Sequence, residues 1–191
     1  MKKVLVLLAE GFEEVEALTV VDYLKRKDVL CETCSITGEK MVVGAHKIRV
    51  EADKVLAEIK NIDNYQALII PGGLPGATNL RDNPIVIRLV QAFNHEEKIL
   101  AAICAGPIVL EKAGVLKEKK VTSYPGFEGE LKESTYLEDI VVQDGNIITA
   151  RGPAVAVYFV LKILENLAGK EKSNELKKDI LLDMVEEKVG Q

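Results

Sequence analysis

The sequence predicts an α/β fold: a mostly parallel β-sheet with helices on both faces. Two observations carry this. Short, nearly continuous apolar runs of strand length alternate with segments of helical periodicity, which is how strands buried on both faces read. Three of those runs end in glycine-bearing corners, "AEGFEEVE", "PGGLPGATNL" and "CAGP", where strands of such a sheet turn into helices. The 191 residues, 48% hydrophobic and 29% charged, fit one globular domain spanning 1–191, without repeat, linker or low-complexity tract.

The elements follow in order. "KVLVLLA" (3–9) is a strand, and a helix runs from about Glu13 to Lys27 with an apolar stripe at Ala17, Val20, Val21 and Leu24. "CETCSI" is the second strand, "MVVG" and "KIRVEA" suggest a hairpin, and "DKVLAEI" reads as a short helix capped by Asp53. "QALIIPGG" (66–73) is a buried strand, followed by a helix with Pro84 near its start that ends about Asn94. "ILAAI" (99–103) is another buried strand, and Gly106-Pro107 opens a helix, since proline suits a first turn whose N–H lacks a partner. "KVTSY", a hairpin on Asp144-Gly145, a helix from about Ala154 to Leu167 and one charged helix from Glu171 to Lys188 complete the chain.

Composition excludes some classes of function. A net charge of −5 disfavours nucleic-acid and anionic-membrane partners. No apolar run reaches the ~18–20 residues of a membrane span. The apolar run at the N-terminus is only strand length and leads into Glu10, Glu13 and Glu14, so it reads as a strand of a cytoplasmic protein rather than a signal peptide. Three cysteines form no disulfide framework. Cys31 and Cys34 make a CxxC, but positions i and i+3 of a strand face opposite sides, and no second ligand pair completes a zinc site. No metal or cofactor is expected.

Chemistry concentrates at the three corners. Cys104 lies between a buried strand and a helix start, a place where a thiol projects over helix N–H groups and gains thiolate character. The residue types alone equally allow a small hydrophobe used for packing. Gly72-Gly73 permits close backbone approach and N–H groups aimed at an anion, or is an ordinary turn. It fits neither a P-loop nor GxGxxG. Glu16 borders the apolar stripe, whereas Glu13 and Glu14 read as surface residues favouring a helix N-terminus.

"LLAEGFEEVEA", "IIPGG", "AAICAGP" and "TARGP", in this order and spacing, resemble the ThiJ/PfpI superfamily, most closely its DJ-one/YajL-like branch, over roughly residues 1–170. The resemblance implies a flavodoxin-like three-layer sandwich, a homodimer, Cys104 as nucleophile and Glu16 beside its sulfur. Gly72, Gly73 and Ala105 would supply an oxyanion hole of backbone N–H groups. It also implies glutathione-independent glyoxalase chemistry on a small aldehyde or dicarbonyl such as methylglyoxal, and deglycase action on glycated proteins. Protonated Glu16 would donate to the sulfur and shuttle protons. The alternative is a redox sensor or chaperone whose cysteine is oxidised to sulfinate. Relatives also carry a thiazole monophosphate biosynthesis label that no residue here supports directly.

Two departures matter. Where many relatives place a histidine near the cysteine, "TSYPG" has Tyr124, so no Cys–His dyad is evident. His46 falls where the branch has an arginine near the dimer contact, a candidate to reach a partner's pocket. His95 sits at a charged helix end and reads as solvated. Ala105 directly after the cysteine, where PfpI-type peptidases carry histidine, disfavours peptidase activity.

Overall fold

The computed structural model describes residues 3–190. Its elements are β1 (Lys3–Leu8), α1 (Glu14–Lys25), β2 (Leu30–Ser35), β3 (Met41–Val43), β4 (Arg49–Glu51), β5 (Lys54–Val55), β6 (Tyr65–Ile70), α2 (Gly76–Arg81), α3 (Pro84–His95), β7 (Ile99–Ile103), α4 (Pro107–Lys112), β8 (Lys120–Val121), β9 (Thr135–Tyr136), β10 (Val141–Asp144), β11 (Ile147–Ala150), α5 (Ala156–Ala168), α6 (Lys170–Asp179) and α7 (Leu182–Val189). Seven strands form one sheet in the order β10-β11-β7-β6-β1-β2-β5. All its pairings are parallel except β10 with β11. This is the flavodoxin-like three-layer α/β arrangement.

The double-sided burial explains the apolar strand runs. In β1, Val4, Val6 and Leu8 enter the core under α1 and α5, with Phe159, Val160 and Leu164. Leu5 and Leu7 enter the opposite core, with Val86, Val90, Phe93 and Val109 of α3 and α4. A strand with water on neither side cannot alternate in polarity. β2 obeys the same geometry: Cys31 joins the first core and Cys34 the second. The two thiols of the CxxC are therefore separated by the sheet.

From β1 the chain passes to β2 on one side and later to β6 and β7 on the other, so the order reverses beside β1. A crevice opens beyond the carboxyl ends of strands at such a reversal. The N-terminal turns of α1, the loop after β6 and the turn after β7 all meet there.

Four expectations need correction. Residues 54–59 form β5 and a single 3₁₀ turn (Leu56–Glu58) instead of a helix. Asp53 is no cap; its Oδ2 accepts from the Thr33 backbone N–H (2.8 Å) and hydroxyl (2.9 Å), fastening β5 beside β2. The charged terminal helix is two helices, broken where Leu181 adopts φ +60°. The short α2, absent from the sequence reading, forms because Ala77 and Leu80 are buried against α4, overriding a glycine- and proline-rich surrounding. Among the described residues no helix is long and apolar enough to cross a membrane.

Candidate active site

Cys104 is the residue between β7 and α4, and its backbone is left-handed, with φ +62°. A residue with a Cβ rarely holds this conformation unless its surroundings enforce it. Here they do: the Cys104 N–H donates to the Ala150 carbonyl (2.9 Å) and its own carbonyl accepts from the Tyr124 N–H (2.9 Å). The sharp turn lifts the thiol out of the sheet. There it meets the backbone N–H groups of Ala105 and Gly73.

Glu16 is fully buried on α1, pointing into the crevice. Its Oε2 accepts from the Gly72 N–H at 2.7 Å, and its carboxyl also hydrogen-bonds to the Cys104 side chain. Beyond that contact, Oε1 has no hydrogen-bond partner among the described residues. An ionised carboxyl with an unsatisfied buried oxygen is costly, whereas a protonated one can donate to the sulfur. Burial accordingly pushes Glu16 up to about 7, against hydrogen bonds from Gly72 and Cys104, which lower it.

The thiol is pushed in the same direction. Burial, then the charge and hydrogen bond of the facing Glu16 carboxylate, raise Cys104 to about 12, while Ala105 and Gly73 lower it. The helix N-terminus expected to favour a thiolate is thus opposed by burial and by the facing carboxylate. Helix α4 has only six residues, and burial together with a like-charged neighbour outweighs it. Placing the proton on Glu16 removes two of the three groups of effects that hold the thiol protonated.

The glycines divide the work differently from the expected oxyanion hole. Gly73 and Ala105 direct N–H groups at the sulfur, but the Gly72 N–H is committed to Glu16. Both glycines are required sterically. A Cβ on Gly72 would sit 2.7 Å from Cys104 Cβ and 2.8 Å from Glu16 Oε2; one on Gly73, at φ +83°, would collide with the Glu13 nitrogen.

Glu14 is the residue the sequence reading missed. It is 3% exposed, and Oε1 accepts from the backbone N–H groups of His46 (2.8 Å) and Ile48 (3.4 Å) while Oε2 meets His46 Nδ1 at 2.9 Å. Burial alone would raise its pKa, but these bonds hold it below the ordinary value. The hydrogen bond to Glu14, then the charges of Glu13 and Glu14, raise His46. Glu14 stands three residues before Ala17, on the apolar stripe, which was the available signal. His46 thus anchors the loop between β3 and β4 to α1. Glu13, Glu14 and His46 have side-chain atoms within 4.8 Å of one another, a spacing a metal could use, but Glu14 is already satisfied by protein donors. His95 is exposed at the end of α3, as expected.

Above the sulfur lies a cavity of about 330 Å³. Glu13, Glu16, Gly73 and Cys104 form its polar side; Leu74, Tyr124, Phe127 and Pro153 form the apolar side. Tyr124, 48% exposed, is a wall of this cavity.

A sequence model of the DJ-1/PfpI family matches residues 2–166. The chain is similar to the glutathione-independent glyoxalase DJ-1 of Schizosaccharomyces pombe, 32% identical over 189 residues, covering 94% of this chain and 98% of that protein. The crystal structure of Drosophila melanogaster DJ-1beta superposes with a TM-score of 0.90 at 38% identity, covering 94% of this chain and 97% of that one. An oxidised DJ-1 from Toxoplasma gondii gives 0.90 at 33% identity, over 94% and 97% of the two chains.

Proposed function

The chain belongs to the DJ-1/PfpI family, and we propose that it is a glutathione-independent glyoxalase that uses Cys104 and Glu16 on small dicarbonyls. One observation carries the reading: a fully buried Glu16, with one oxygen held by Gly72 and the other free of further partners, faces the thiol in an open cavity. That is a two-atom proton store.

The reactive form has the proton on Glu16 and the charge on sulfur. The thiolate adds to the aldehyde carbon of methylglyoxal, and the Glu16 proton passes to the new alkoxide, giving a hemithioacetal and a Glu16 carboxylate. That carboxylate takes the C–H proton, forming an enediolate, and returns it to the neighbouring carbon. The hydroxyl proton moves to the former ketone oxygen, leaving a lactoyl thioester. Water hydrolyses it to lactate and frees the thiol. The net reaction adds one water and needs no oxidant. The Ala105 and Gly73 N–H groups stabilise the sulfur's charge before attack.

The same geometry supports deglycation, since the thiolate can displace the amine at the carbinol carbon of a glycated adduct, the Glu16 proton leaving on the amine, to give the same hemithioacetal. Support for a homodimer comes from exposed large apolar side chains: Val15 (53% exposed) and Leu18 (36%), three residues apart on α1, and Ile48 (52%), whose N–H donates to Glu14. Light scattering should give twice 21.0 kDa. The three free cysteines support a reducing compartment such as the cytoplasm.

The deciding experiment is turnover of methylglyoxal to lactate by wild type and Cys104→Ala. Activity lost in the variant supports the enzyme; no wild-type activity leaves the redox-sensor reading. That second reading is favoured by the same N–H groups, which would also hold the oxygens of a Cys104 sulfinate.

A further inference from the structure

Methylglyoxal is small for the space it would enter. Beside the Cys104 cavity lies a second one of about 270 Å³, and the two share Tyr124 and Pro153 as a common boundary. The second cavity continues along Ile140, Ala154 and Val155. Its walls are apolar. The one cationic group among its described lining residues, Arg151, donates through Nη1 to the Glu138 carbonyl (2.9 Å), which ties its head to the exposed rim.

Tyr124 is fixed relative to the nucleophile by its N–H bond to the Cys104 carbonyl at 2.9 Å. Its ring lies against Gly152, where a Cβ would come within 3.1 Å of Cδ2. Glycine there lets the ring settle on the backbone and leaves its other side to the cavities. Tyr124 and Ile140, 48% and 49% exposed, therefore flank the space with large apolar surfaces facing water. Such a recess, sharing two wall residues with the nucleophile's cavity, suits an apolar group on the substrate.

We propose that Tyr124, Pro153 and Ile140 form a second subsite that selects 2-oxoaldehydes bearing an aromatic or branched alkyl group over methylglyoxal. The carbonyl would stand at Cys104 and the apolar group would pass Tyr124 toward Ile140. As to the choice of carbonyl substrates, the inference rests on the glyoxalase reading; the recess itself does not.

The test separates the two. Cys104 alkylation rates are measured with iodoacetamide and with N-benzyl iodoacetamide, each normalised to its rate with free glutathione, for wild type and Ile140→Asp. Ile140 lines only the second cavity. Wild type should favour the benzyl reagent by about tenfold, the scale of discrimination in an apolar pocket. Ile140→Asp should lose most of that preference while its iodoacetamide rate stays within about twofold. In wild type, kcat/KM should favour phenylglyoxal over methylglyoxal by a similar factor. Equal normalised rates in wild type, or a preference that survives Ile140→Asp, would overturn the subsite. A benzyl preference that Ile140→Asp abolishes, with no turnover of either dicarbonyl, would instead sink the glyoxalase reading and leave the subsite standing.

Discussion

Cys104 and the pair Cys31 and Cys34 are instructive because burial pushes all three thiols in one direction while they differ in nearly everything else. Burial raises all three thiols to about 12. Cys31 and Cys34 sit within β2, 5% and 0% exposed, in the cores on either side of the sheet. Cys104 stands at a strained turn with a cavity above it, a carboxyl beside it and two N–H groups aimed at it. Reactivity here does not follow from the thiol's resting pKa. It follows from having a neighbour that can take the proton and a space from which a reagent can approach.

The largest expected effect is on labelling. Iodoacetamide should modify Cys104 at least about a thousandfold faster than Cys31 or Cys34, because those two need core opening before any reagent reaches them. Mass spectrometry of a time course reads this, and earlier label on β2 would erase the distinction.

Next comes the proton partner. Glu16→Gln keeps an acceptor for the Gly72 N–H and a donor toward sulfur but cannot carry a proton. Methylglyoxal turnover should fall by about a hundredfold or more. Alkylation of Cys104 should persist, with its pH midpoint lowered, because the facing negative charge is gone. Full turnover in the variant would remove Glu16 from the chemistry.

The same variant sharpens the comparison through stability. Glu16 moves from an ordinary 4.5 to about 7 on folding. For a raised acid, the favourable contribution is complete below pH 4.5 and fades as pH rises through 7. Wild type should therefore lose stability relative to Glu16→Gln between pH 5 and pH 8, by at most about 3 kcal/mol. Denaturant unfolding at the two pH values measures the gap; a gap independent of pH would mean that Glu16 is not titrating there.

The smallest effect contrasts the thiols as packing groups. Cys31→Ser and Cys34→Ser place a hydroxyl in an apolar core and should each cost about 1–3 kcal/mol. Cys104→Ser, at the cavity edge, should cost under about 1 kcal/mol. Equal costs would mean that Cys104 is as much a core residue as the others.

The sequence by itself determined the layered α/β fold, because strands buried on both faces must be apolar throughout and their helices keep a 3.6-residue stripe. It also placed Cys104 at a strand-to-helix turn, since an apolar run there meets Gly-Pro, but by residue type alone the thiol could equally have been a packing group. Glu16 was legible only as the border of a stripe. The tertiary structure decided what these residues do to one another. That the Gly72 N–H serves Glu16, that Glu14 is a buried anchor for His46, and that Tyr124 joins two cavities all depend on contacts between segments far apart in the chain. The direction of the Cys104 pKa was decided there too. A helix N-terminus is visible in sequence, but the desolvation and the facing carboxylate that outweigh it exist only once α1 and the turn after β7 are brought together.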